Sequence, residues 1–322
     1  MRAAWDWDLP VETTTQQREI VEIASEIGFD TLIVQRPTEP MVRRAHELGV
    51  SVVAIVTAGP QGREAAGRSG TVQRLLPEEE EIASACARRS GHDYQKLSHR
   101  WFPIVLSGDL LCFENESSRE ALKSKIDEAL ELADGVAFDG FGFRNHYACF
   151  CERCDRARQR TAEEHPEWTD AEVLRDVSER SLVGVSSLLF EHAKSRKPEA
   201  LVTNHVWPPF RPNWYYGWRL RLDYCSQTIS WFYHPHWSIE RVTFEAQEHK
   251  RLEDRTNNTF VPFIGLYGSE DLVRSPERVR TELDVARRFG DGHVVVCTLG
   301  WARSRPEIAA VVKSAVARFE GP

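Results

Sequence analysis

The sequence predicts an α/β protein, a (β/α)8 TIM barrel in one domain over residues 1–322, with an inserted region of about residues 62–115 after the third strand. Short apolar runs alternate with amphipathic helical patterns along most of the chain, which is the mark of parallel strands joined by crossover helices. Eight such runs are present, and 322 residues fall within the range such barrels occupy. A doubly wound open sheet is the alternative. It would carry a Gly-rich phosphate turn after its first strand, where this chain has "DLPVETTT".

The elements follow in order. "AAWDWDL" (Ala3–Leu9) reads as a first strand before an amphipathic stretch at Gln16–Ile27, and "DTLIVQ" (Asp30–Gln35) precedes another at Met41–Leu48. "SVVAIVTAG" (Ser51–Gly59) is the third strand. The pattern then pauses through the insertion, which includes an acidic helical stretch, "PEEEEIASACARR". It resumes with a helix at Ser117–Leu132 and a buried strand at Gly135–Phe141. A long helical section at Asp170–Arg196 leads to "ALVTNHVW", "YCSQTISWF", "TFVPFIGLYG" and "GHVVVCTLGW", the last three each followed by a helical pattern.

Composition narrows the function classes. With 41% hydrophobic and 28% charged residues the chain resembles an ordinary globular protein. Its net charge of -8, with basic residues scattered among acidic ones, argues against a nucleic-acid partner. No apolar run approaches the roughly 18–20 residues that cross a bilayer. The start, "MRAAWDWDLP", has no secretory pattern, so the expected location is cytoplasmic. Seven cysteines, an odd number in a long chain, suit reduced thiols and metal binding better than a disulfide framework.

In a (β/α)8 barrel the chemistry sits where strands end and βα loops begin. Those positions hold Asp6, Trp7, Asp8, Asp139, Asn204, His205, Trp207, His234, His236, Tyr267, Glu270 and Trp301. Asp139 is the first catalytic candidate, because it closes the apolar run "GVAF", where an unpartnered carboxylate would be costly. Asp8 and Glu270 are candidates for a second carboxylate. Asp6 and Asp8, two apart, share one face of the first strand, and capping a neighbouring segment competes there with contacting a substrate. Asn204, His205, Trp207, His234, His236, Tyr267 and Trp301, with Asp6 and Trp7, are read as pocket residues. Tryptophan faces stack on the C–H face of a sugar, although filling a large core explains many of the ten tryptophans equally well.

"HYACFCERC" (His146–Cys154) contains Cys149, Cys151 and Cys154 in a C-x-C-x-x-C knot. A tetrahedral thiolate site needs a fourth ligand, and Cys112 in "LLCFEN" supplies it, with His146 the rival. Four cysteines holding a structural zinc ion is the reading this spacing supports. Cys86, Cys225 and Cys297 lie in helix or strand patterns and read as buried thiols.

The stretch "LCFENESSREALKSKIDEALELADGVAFDGF" followed by "CFCERC" resembles the fourth-strand region of family 42 β-galactosidases and of the glycosyl-hydrolase-like barrels related to them. The resemblance covers about 45 residues, from Cys112 to Cys154. It implies zinc ligation by Cys112, Cys149, Cys151 and Cys154, and it sets Asp139 at the position of the family's acid/base glutamate. The chain departs from that family in two places. The Asn-Glu pair is Phe138-Asp139 here, and the seventh strand runs into "GLYGSED" with no carboxylate before Glu270.

Three functions are therefore expected, in this order. The first is a glycosidase-like enzyme acting on a carbohydrate through a carboxylate pair. The second is a non-catalytic carbohydrate-binding barrel, a degenerate hydrolase. The third is a metal-dependent hydrolase or sugar isomerase in which Asp139, His205, His234 and His236 gather a divalent ion. A homo-oligomer is compatible with all three.

Overall fold

Eight parallel strands close on themselves in chain order in a computed structural model, which describes residues 1–7, 13–59, 72–74, 111–140, 149–206, 216–230, 237–253, 258–266 and 274–319. The strands are β1 (Arg2–Asp6), β2 (Thr31–Val34), β3 (Ser51–Thr57), β4 (Gly135–Asp139), β5 (Leu201–Val206), β6 (Tyr224–Ser230), β7 (Thr259–Gly265) and β8 (Val294–Cys297). Each pairs in parallel with its neighbours, and β8 closes the ring on β1 through Arg2 opposite Val294. The expected (β/α)8 barrel is the observed fold.

The helices are α1 (Thr14–Ile27), α2 (Glu39–Glu47), α3 (Glu116–Leu130), α4 (Glu152–Glu164), α5 (Asp170–Arg196), α6 (Ile239–Glu253), α7 (Pro276–Phe289), α8 (Gly300–Ser304) and α9 (Pro306–Val316). Local chemistry sets their ends. Thr13 and Gln16 form a reciprocal capping box at α1, as Thr169 and Glu172 do at α5. Gly28 ends α1 at φ 100°, a left-handed conformation that costs glycine nothing. After β5 the described connection holds a short 3-10 turn, Tyr216–Arg219, in place of a full helix.

Two faces of each strand are buried against different partners. Ala3, Trp5, Ile33, Val53, Ile55, Ala137, Val261, Phe263, Val295 and Cys297 fill the barrel interior. The alternate residues pack outward against helices, among them Ala4, Leu32, Val34, Val136, Phe138, Val202 and Val206. The interior is not uniformly apolar. Thr203 and His205 on β5 and Ser226 and Thr228 on β6 form a buried polar stripe, and Thr203 Oγ1 lies 3.0 Å from Ser226 Oγ.

Gly135 opens β4 because nothing larger fits: a Cβ there would overlap the Leu201 carbonyl on β5. Gly135→Ala should therefore cost about 2–3 kcal/mol in urea unfolding, by overpacking at a strand pair. A loss below about 0.5 kcal/mol would mean that β4 and β5 are not held this closely.

The insertion joins β3 to α3, and residues 72–74 and 111–115 are its described parts. Val72 bridges Leu111 in antiparallel fashion, and Lys125 on α3 donates to the carbonyls of Thr57 (2.9 Å) and Gly59 where the insertion leaves β3. Burial pulls the Lys125 ammonium down to about 8. The acidic stretch near residue 80 lies outside the described residues.

Candidate active site and candidate metal centre

Asp139 is the last residue of β4, and it continues the inward face of Ala137 to the C-terminal mouth of the barrel. Its side chain is 13% exposed. The indole Nε1–H of Trp7 donates to Asp139 Oδ2 at 2.9 Å. Trp7 continues the inward face of Trp5, so the first strand delivers an indole rather than a carboxylate to this point. His205 Nδ1 lies 3.4 Å from Asp139 Oδ1, an ion-pair distance that is long for a hydrogen bond, and His205 Nε2 lies 2.9 Å from Thr228 Oγ1. The His205 side chain is fully buried. Its ring stacks on Phe263 with centroids 4.0 Å apart, and Trp5 and Trp7 flank it at 5.5 and 5.6 Å.

Of the expected pocket residues, the barrel thus brings together Asp139, Trp7 and His205. Three others belong elsewhere. Asp6 shares the outward face of Ala4, and its Oδ2 accepts from the amides of Leu299 (2.8 Å) and Gly300 (3.1 Å) at the start of α8. It anchors the β8–α8 connection, as a carboxylate at a helix N-terminus does. Asn204 lies between Val202 and Val206 on the outward face of β5 and is buried in the helix layer. Trp301, 4% exposed, packs into the apolar layer between barrel and helices with Val34, Leu299 and Ile308. Asp8, Trp207, His234, His236, Tyr267 and Glu270 lie outside the described residues, as does His146.

Trp5, Phe263 and Thr228 complete the floor beneath Asp139 and were not among the residues expected there. Trp5 had a signal: it stands two before Trp7, on the face opposite Asp6. Phe263 and Thr228 had none beyond strand alternation.

The loops around this mouth share an anchor. Glu282 on α7 is fully buried; its Oε1 meets Arg278 Nε (2.6 Å) and Arg274 Nε (3.1 Å), and its Oε2 accepts from Ser230 Oγ (2.6 Å). A register shift between Thr228 and Ser230 accompanies the turn of Ser230 toward α7. Arg274 reaches the Gly265 carbonyl and Arg278 the Trp237 carbonyl, so one carboxylate ties down both ends of the β6–α6 and β7–α7 connections. Glu282→Ala would remove the buried carboxylate that Arg274, Arg278 and Ser230 share, and equilibrium unfolding should show a loss of about 3–5 kcal/mol. A change within 0.5 kcal/mol would show that the cluster is not a closed, desolvated network.

A second cluster lies beside the site. Cys112, Cys149, Cys151 and Cys154 are all buried, with their four sulfurs within 4.8 Å of one another. The separations are 3.6 Å (Cys112–Cys151), 3.7 Å (Cys112–Cys154), 3.7 Å (Cys149–Cys112) and 3.6 Å (Cys151–Cys154). These are far from the roughly 2.0 Å of a disulfide. A tetrahedron with metal–sulfur bonds of about 2.3 Å has sulfur–sulfur edges of about 3.8 Å, so the four thiols are spaced for one metal ion.

Their surroundings agree. Cys151 caps α4 and Cys154 sits in its first turn, where a helix N-terminus favours thiolates. The Arg74 backbone N–H donates to the Cys149 sulfur, Phe150 N–H donates to the Arg74 carbonyl at 2.8 Å, and Arg158 Nη1 donates to the Cys149 carbonyl at 2.8 Å. Hydrogen bonding from Cys112 holds both Cys149 and Cys151 below the ordinary thiol range, whereas bonding to Cys149 pushes Cys112 up and bonding to Cys112 pushes Cys154 up. A divalent cation bound here would displace the thiol protons that the four sulfurs share. Such an ion would tie the end of the insertion to the loop that follows Asp139.

Neither a known family profile nor a curated protein matches the sequence. Solved structures do match. A β-galactosidase from Halorubrum lacusprofundi aligns over 99% of this chain and 58% of its own, with a TM-score of 0.70 at 13% identity. A GH42 β-galactosidase from G. stearothermophilus aligns over 99% and 57%, with a TM-score of 0.66 at 10% identity. The β-amylase catalytic domain from Paenibacillus polymyxa aligns over 99% and 98%, with a TM-score of 0.58 at 9% identity. The fold is the (β/α)8 barrel that these structures share. The chain spans less than three fifths of the length of those two β-galactosidases. Among the described residues no helix is long and apolar enough to cross a membrane.

Proposed function

We propose that this protein is a glycoside hydrolase-like enzyme that acts on a carbohydrate through carboxylate chemistry at the barrel mouth, with Asp139 as a reacting carboxylate. One observation carries the reading: Asp139 stands at the mouth with its Oδ2 held by the Trp7 indole at 2.9 Å and His205 behind it. A carboxylate fixed in orientation beside aromatic rings is what glycoside cleavage requires, because charge develops at the anomeric carbon while ring faces hold the sugar. Glu270 and Asp8 are the candidates for the second carboxylate. Trp207, His234, His236 and Tyr267 are candidates for the sugar-contacting rim.

In this reading Cys112, Cys149, Cys151 and Cys154 hold a structural zinc ion. A closed set of four thiolates leaves no open position for substrate, so zinc would brace loops and take no part in the reaction.

The test is a panel of aryl glycosides and oligosaccharides assayed for release of product. Turnover of at least one, lost on changing Asp139, supports the reading. Saturable sugar binding with no turnover across the panel would replace it with the carbohydrate-binding barrel, which the absence of a carboxylate before Glu270 after the seventh strand favours. A metal-dependent reaction would need His234 and His236, which lie outside the described residues, beside Asp139 and His205.

A further inference from the structure

The residues behind Asp139 bear on which carboxylate role it takes. Trp7 Nε1–H can only donate, so Asp139 Oδ2 is an acceptor. His205 Nδ1 faces Oδ1 at 3.4 Å, and Nε2 lies 2.9 Å from the Thr228 hydroxyl, which can either donate or accept. A neutral imidazole carries one N–H. If that proton is on Nδ1, both of these contacts pair a donor with an acceptor: Nδ1–H toward Oδ1, and the Thr228 O–H onto Nε2. The ring is locked where this matters. It lies among Trp5, Trp7 and Phe263, with Thr228 on one nitrogen and Asp139 on the other.

The mirror arrangement would need a carboxylic acid donating to Nδ1, with Nε2–H on Thr228. That acid would sit where the indole already donates to its other oxygen and where solvent reaches the side chain, surroundings matched to a carboxylate.

We propose that Asp139 works as a carboxylate, attacking the anomeric carbon, activating water or stabilising the developing positive charge, and that His205 is its positioning residue, with the tautomer set by Thr228. This rests on the glycosidase reading of the site and reverses the role that the fourth-strand position implies by resemblance. The proton for the leaving oxygen then comes from a second acid. The long Nδ1–Oδ1 separation fits a site that tightens as substrate enters. The glycosidic C–O bond breaks with its electron pair going to the leaving oxygen, which takes the proton of the second acid. Water supplies the new C–O bond, either directly with its proton passing to Asp139, or by hydrolysing a glycosyl–Asp139 ester with its proton passing to the second carboxylate. His205 keeps its own proton throughout.

Two experiments test this, and the first needs no substrate. In protein labelled with [15N]histidine, the His205 ring is identified by its absence from the His205→Gln spectrum, or by its shift in Asp139→Asn if that variant does not fold. The expected spectrum shows the ring proton on Nδ1 alone, with Thr228→Val disturbing that tautomer and leaving the other histidines unchanged. A proton on Nε2 would overturn the proposal.

The second compares aryl glycosides with good and poor leaving groups. As a carboxylate, Asp139 is needed for both, so Asp139→Asn should lose about 10²-fold or more on dinitrophenyl and phenyl glycosides alike. His205→Asn, which keeps an N–H near the Nδ1 position, should retain roughly tenfold more kcat than His205→Leu at similar KM. Near-normal dinitrophenyl turnover by Asp139→Asn would mark Asp139 as the proton donor and contradict the proposal. Absence of any wild-type hydrolysis would instead sink the glycosidase reading and leave the tautomer result standing.

Discussion

With the proposed zinc ion on the four cysteines, Cys149→Ser should bind no metal and melt about 5–10 °C below the wild-type protein, as should the wild-type protein after prolonged chelation. The described sulfur–sulfur separations of 3.6–3.7 Å match the edges of a tetrahedral thiolate site. An ion bound only by the folded chain adds RT ln(1 + [L]/Kd), about 3 kcal/mol at a hundredfold excess over Kd. For a chain of this size that is several degrees. The barrel has a large core of its own, so the variant should remain folded, unlike a domain that depends wholly on metal. Elemental analysis should find about one zinc per wild-type chain and none in the variant. Metal at wild-type level in Cys149→Ser, or absent from both proteins, would contradict the assignment.

Asp139→Asn should abolish most turnover while changing stability by about 1 kcal/mol. The carboxamide keeps the size of the side chain and one acceptor for the Trp7 indole, so the local packing survives. What it removes is the negative charge, and its N–H₂ is set against a histidine positioned to donate. Loss of a reacting carboxylate lowers rates by about 10²–10⁴-fold, whereas loss of one hydrogen bond at a 13% exposed position costs only about 1 kcal/mol. The disparity between the two effects distinguishes a reacting group from a structural one.

The alternation of apolar runs with helical patterns made the barrel legible, because each strand is buried on both faces and reads as a continuous apolar stretch. The same property hid the direction of side chains. With no polar and apolar alternation to separate inside from outside, Asp6, Asn204 and Trp301 read as pocket residues, although all three belong to the helix layer. In β1 the interior is reached by Trp5 and Trp7, and the conspicuous carboxylate Asp6 went to the wall. Helix α4 was also hidden: it is strongly polar and buries only Cys154 and Thr161, so no apolar stripe marks it. The place of Asp139 at the barrel mouth and the clustering of the four cysteines were legible for opposite reasons. The first rests on a charge at the end of an apolar run, and the second on a spacing that ordinary core packing does not need.

The most direct test of the central claim is kcat/KM for Asp139→Asn beside the wild-type protein, on the glycoside the latter turns over fastest, with melting midpoints measured on the same samples. The account predicts a loss of at least about 10²-fold with midpoints within a few degrees. Equal kcat/KM in the two folded proteins on a phenyl glycoside as well as on a dinitrophenyl one would remove Asp139 from the chemistry, and with it the reading of this barrel mouth as a carboxylate active site.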